Sequence, residues 1–106
     1  MSHVTIENVA KIVAIQAGAV VSKVIHRDAE VDVTVFAFDA GEGLTEHTAS
    51  RPAIVQVLTG KLQFTADGED VNAVPGTWIF MTPGAQHAIV AVEPTVMLLT
   101  LLRPER

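Results

Sequence analysis

Between positions 31 and 38 the chain reads Val-Asp-Val-Thr-Val-Phe-Ala-Phe, so Val31, Val33, Val35 and Ala37 interleave with Asp32, Thr34, Phe36 and Phe38. A period of two sends one set of side chains to each face of an extended strand, and no helix reproduces it. The rest of the chain repeats the theme between turn signals. Apolar runs at 54–58 and 62–65 flank Gly60, Asp67-Gly68 marks a tight hairpin, and the run at 71–74 ends at Pro75-Gly76. Runs at 20–25, 78–81, 87–92 and 95–102 complete a set of about eight or nine short strands. The pattern predicts an all-β, antiparallel barrel or sandwich, and closing a barrel also removes exposed edges.

Ahead of the strands, Ile6, Val9, Ala10 and Val13 recur at helical spacing, which predicts a short helix over roughly residues 5–14, closed before Gly18. The 106 residues make one domain, with a leading segment at 1–18 and the barrel at 19–106.

Composition narrows the function classes. A formal charge of −5 with no basic cluster argues against a nucleic-acid surface. Without cysteine there are no disulfides and no thiolate metal sites. No apolar run approaches the roughly 20 residues of a membrane span, and the N-terminus lacks a signal-peptide pattern, so the expectation is a cytoplasmic protein with no membrane partner. Apolar residues reach 49% against 18% charged, and the runs around 54–58 and 96–99 are apolar on both faces. Two explanations stand: a strand crossing a tight sandwich, or packing against another subunit, which would make the protein a homodimer.

Two histidines sit in a recognisable pair of motifs. Gly41, His47 and Gly60 are spaced as the first, second and last landmarks of the first motif of the cupin β-barrel family. That motif continues after its first histidine with a second histidine and a glutamate, positions held here by Ala49 and Ala53. Gly76, Gly84 and His87 match the second motif, with the proline displaced by one place to Pro83 and Ala91 in place of a frequent asparagine. From Phe36 to Val92 the chain thus resembles a small cupin domain. The resemblance implies a jelly-roll-like barrel, a site inside it, and a metal site reduced from three histidines and a glutamate to His47 and His87. Cupins commonly pair, so it also implies a homodimer.

Read physically, strand alternation places 47, 49, 51 and 53 on one face if no bulge intervenes, so His47, Ala49 and Ala53 look into the barrel and Glu46 away from it. Good divalent sites offer three or four protein donors. Two neutral imidazoles therefore leave two readings open: a small-molecule pocket or hydrogen-bonded histidine pair without metal, and a weakly held divalent ion (Mn, Fe, Ni or Zn) on His47 and His87. Gln56 and Gln63 are the neutral reserves. The alanines widen and dry the pocket, which takes in His47, His87, Ala49, Ala53 and Arg51. Arg51 offers a two-pronged donor for a carboxylate or phosphate, or is a solvated loop residue. Trp78, Phe80 and Met81 are lining candidates, and His3 and His26 are expected to be exposed and inert.

No nucleophile elbow and no phosphate-binding glycine loop occurs. Three functions from different classes remain: a small-molecule-binding cupin, a metal-dependent enzyme of the dioxygenase or isomerase kind, and a dimerising structural barrel. Metal analysis and a ligand-dependent melting shift separate them.

Overall fold

The computed structural model describes residues 2–103, apart from the side chain of His47. It contains seven strands: β1 (Val20–Arg27), β2 (Val31–Phe38), β3 (Gly43–Thr48), β4 (Ala53–Ala66), β5 (Glu69–Ala73), β6 (Trp78–Met81) and β7 (Gln86–Leu102). Every pairing is antiparallel. This is an antiparallel β-barrel, as the alternation and turn signals predict.

The strand count falls below the expected eight or nine because two pairs of runs are continuous strands. Runs 54–58 and 62–65 are the two halves of β4, and runs 87–92 and 95–102 are the two halves of β7. Gly60 and Pro94 bend these strands instead of ending them. The β4–β7 register shifts three times between Val57 and Leu62, the signature of bulges that turn a strand from one sheet into the next. Gly60 has φ of +86°, and a Cβ there would lie 2.7 Å from the Thr95 Cα, with the Pro94 carbonyl oxygen closer still. The buried Thr95 hydroxyl accepts from the Lys61 N–H at 2.9 Å and lies 2.8 Å from the Glu93 carbonyl, pinning the corner.

On one side of the corner the strands run β1-β2-β7-β4-β6; on the other they run β3-β7-β4-β5. Between the two layers lies an apolar interior that includes Phe38, Ala53, Val55, Leu62, Phe64, Ile89 and Met97. In β2, Phe36 and Phe38 face it, while Val35 and Ala37 face outward.

That outer face is also apolar, and the chain's own N-terminal segment covers it: Val9, Ala10 and Val13 pack against the buried cluster of Val35, Ala37 and Val96. The double-faced apolar character of this part of the sheet is therefore met within one chain. The predicted helix contracts to a single 3-10 turn, Val9–Lys11. The apolar spacing is used for packing, but Asn8 gives no side-chain cap and the β-branched Ile12, Val13 and Ile15 disfavour propagation. Among the described residues no helix is long and apolar enough to cross a membrane.

Candidate functional site

The end of the barrel away from the Gly60 corner brings two rows of residues together. In the first layer the register aligns Asp32, Leu101, Ala53 and Met81; in the second it aligns His47, His87, Ala66 and Glu69. Both rows stand at the termini of the bent strands β4 and β7, so folding at the corner sets them across from each other. A further bond closes this end: the Gly84 N–H donates to the Ala49 carbonyl at 2.8 Å, joining the loop before β4 to the loop before β7.

His47 and His87 are directly opposed partners on β3 and β7. A register shift between Leu44 and His47 establishes this pairing. The His47 side chain lies outside the described residues. His87 is buried, with its Nδ1 3.1 Å from the Ala85 carbonyl oxygen. A carbonyl only accepts, so that contact makes Nδ1 the protonated nitrogen and leaves the lone pair of the neutral ring on Nε2. The imidazole lies parallel to the Phe64 ring, with centroids 6.1 Å apart and planes within 7°. Among the described residues His87 and Thr95 are the buried polar side chains, and Thr95 is committed to the corner. Among the described side chains His87 is thus the polar feature of this end of a largely hydrocarbon interior.

Ala53 is buried at the start of β4, opposite both Met81 and Leu101. Ala49 is half-buried, but it is not on a strand: β3 ends at Thr48 and β4 begins at Ala53. The alternation expected from 47 through 53 is therefore interrupted by a loop. Glu46 is exposed, as expected. Gln63 is exposed, and Gln56 pairs with Trp78 and Leu98 on a half-buried row, one residue out of step with the inward Val55 and Val57. Among the described residues no three His, Asp or Glu side chains converge on a point that holds a metal. The residues present therefore do not fit the four-donor metal set of a full cupin site.

Arg51 lies in the same loop, and its guanidinium is engaged. Nη1 donates to Asp32 Oδ2 at 2.5 Å, Nε to the Leu102 carbonyl at 3.0 Å and Nη2 to the Leu101 carbonyl at 3.1 Å. Asp32 also accepts from Arg27 Nε at 3.2 Å. The bond from Arg51 holds the Asp32 carboxyl below the usual carboxylate range. This group braces β2, β7 and the loop before β4 at the end of the barrel.

Of the aromatic lining candidates, Trp78 and Phe80 lie outside, more than 45% exposed and stacked at 6.4 Å, whereas Met81 is in the interior. Their positions follow from pairing: Met81 stands opposite the inward Ala53, and Phe80 is one residue out of step. His26 is not inert but bonded to Asp28 at 2.6 Å. Phe64 and Asp32 escaped the sequence reading. Phe64 is diagonal to His87, since Ala66 opposes His87 and Phe64 opposes Ile89, and only the pairing of two distant strands reveals this.

Known proteins agree with the fold. A family model described as an AraC-like ligand binding domain matches residues 30–106. A conserved Streptococcus pyogenes protein of unknown function is similar in structure with a TM-score of 0.87 and 29% identity, over 100% of this chain and 93% of that one. A cupin 2 conserved barrel domain protein from Leptotrichia buccalis gives 0.83 and 30%, over 89% of this chain and 46% of the other. A cupin superfamily protein from Desulfitobacterium hafniense gives 0.85 and 22%, over 90% and 87%. Among curated proteins, none matches.

Proposed function

Since this chain belongs to the family of AraC-like ligand-binding domains and folds as a cupin barrel, we propose that it binds a small molecule inside the barrel at the His47–His87 end. The observation that carries the reading is His87: a buried imidazole, oriented by the Ala85 carbonyl and by Phe64, in an interior that is otherwise apolar. Small-molecule sites have this make-up, with hydrocarbon walls and a few fixed polar groups. Alanine at positions 49 and 53, shorter than the histidine and glutamate of the family motif, supports it further.

Binding follows from the chemistry of the walls. A compact ligand gains from contact with Met81, Leu101 and Phe64. A hydroxyl or N–H on that ligand hydrogen-bonds to the imidazole, adding to or replacing a contact the ring already makes. Ala49 and Ala53 border the ligand, and Arg51 closes the end as a brace through Asp32. A bound metal would supply Lewis-acid polarisation in a full cupin site; with two histidines as its protein donors we assign it no step here. The module recognises a ligand and is assigned no turnover.

We further propose a cytoplasmic homodimer, supported by the outward Trp78 and Phe80 on β6. The test of the binding proposal is a thermal-shift screen of small molecules on the wild type and on His87→Ala. A ligand of the folded state raises the melting temperature. Shifts that vanish in H87A support the reading, and shifts equal in both proteins refute it.

A further inference from the structure

A groove lies outside the barrel. An open groove of about 570 Å³ runs between the N-terminal segment and the β1–β2 hairpin. Val4, Ile6 and Val9 form one wall; Ile25, His26 and Val33 form the floor and the other wall. None of these residues belongs to the site around His87, and the volume is in the range of small-molecule pockets.

The hairpin is built to present a polar group to this groove. In a regular strand Ile25 and His26 would point to opposite faces. Here the β1–β2 register shifts between Val24 and His26, so His26 stands opposite Val33 and both Ile25 and His26 line the groove. Bulges of this kind re-aim side chains and gather at functional sites. His26 Nε2 is bonded to Asp28 Oδ2 at 2.6 Å, and Asp28 Oδ1 accepts from the Glu30 and Val31 N–H groups at 2.7 and 3.0 Å. The carboxylate is therefore fixed at the groove's rim, with one oxygen turned to the imidazole. These bonds, from His26 first, hold Asp28 well below the usual carboxylate range, at about 2, so it stays charged at neutral pH.

The remaining polar lining is Ser2 and His3, bonded to each other at 3.1 Å, and among the described residues no lysine or arginine faces the groove. Among the described lining residues Asp28 is the one carboxylate, in a chain whose net charge is already −5. Charge complementarity thus favours a cation over a carboxylate or phosphate. We propose that this groove is a second ligand site, taking a small apolar amine whose hydrocarbon part lies on Ile25 and Val33 and whose ammonium meets the His26–Asp28 pair.

Phenethylamine, with phenylacetate as its matched anion, tests the proposal when each is titrated into the ¹⁵N-labelled full chain at pH 8. The expected result is saturable movement of the Ile25, His26, Asp28 and Val33 amides with the amine and none with the acid. Asp28→Asn retains the oxygen that caps Glu30 and Val31 but loses the charge, and weakens the amine about tenfold. Val33→Phe fills the floor and abolishes binding while the hairpin survives. The same titration of H87A leaves the response intact. The proposal is overturned if neither probe moves these amides, if phenylacetate binds as well as the amine, if the response follows His87, or if D28N and V33F both bind like the wild type.

Discussion

The His87 imidazole lies face to face with the Phe64 ring, 6.1 Å between centroids, across two strands that sequence separates by more than twenty residues. The pair couples the site to the core. Phe64 is about 1% exposed and packs with Leu62 and Ile89, so Phe64→Ala removes a full aromatic from the centre and costs about 3–5 kcal/mol. Phe64→Leu keeps most of the volume, costs roughly 1–2 kcal/mol and loosens the imidazole. Urea unfolding gives the stability loss, and ligand binding should weaken in F64L beyond what that loss explains.

Gly60→Ala should be among the most damaging single-methyl additions in the chain. Its φ of +86° disfavours any side chain, and the new Cβ meets Pro94 and Thr95 backbone atoms that cannot move without opening the corner. Backbone strain alone is about 1–3 kcal/mol, and the clash adds to it. Gly76→Ala, at φ of +94° with open space around its Cβ position, carries the strain without the clash. Chemical denaturation should rank G60A well below G76A.

Acid should destabilise the fold through two named carboxylates. Asp28 drops from an ordinary 3.8 to about 2, chiefly through its bond to His26, and Asp32 is lowered chiefly by Arg51. A carboxyl depressed on folding stabilises the native state above its unfolded value, and that contribution disappears as pH falls through the folded one. For Asp28 the window runs from about 4 down to about 2. Denaturation midpoints measured across it should fall in the wild type and fall less steeply in Asp28→Asn. Arg51→Met should likewise flatten the acid limb, because Asp32 then titrates nearer its ordinary value.

Much of the barrel was written in local pattern. The alternation of β2, the Asp67-Gly68 hairpin and the Pro75-Gly76 turn needed no tertiary information. The corners did: Gly60 and Pro94 look like strand ends, and only the shifted β4–β7 register makes them bends. At the site, glycine and histidine spacing located His47 and His87. Phe64 and the Arg51–Asp32 brace were invisible because each joins positions brought together only by barrel closure. The aromatic run at 78–80 misled because alternation fixes two faces without naming which is inside.

Restoring the absent donors tests the ligand alignment. Ala53 is about 2% exposed, so the Ala49→His, Ala53→Glu double substitution buries a carboxylate and should lower the melting temperature without metal. Manganese or nickel should then raise it, while the wild type binds these ions weakly; loss of even an outer-shell partner typically weakens metal binding about 10–100-fold. Calorimetry decides: tight one-to-one binding by the wild type contradicts the account, and so does a double variant that gains nothing.

The outward Trp78 and Phe80 predict self-association. Light scattering at tens of micromolar should give a dimer, burying about 1,600 Å² or more if it is of standard size. Trp78→Ser should shift it to monomer. A wild-type monomer at that concentration removes the proposal.

A ligand that enters the barrel should meet His87. The most direct measurement follows the histidine imidazole and Phe64 ring resonances by NMR while a set of small alcohols, sugars, heteroaromatics and carboxylates is titrated in. Binding molecules that carry a hydrogen-bond donor should shift the His87 ring and the Phe64 ring together, and His87→Ala should abolish the response. Binding that leaves both rings unmoved, or that persists unchanged in H87A, would contradict it.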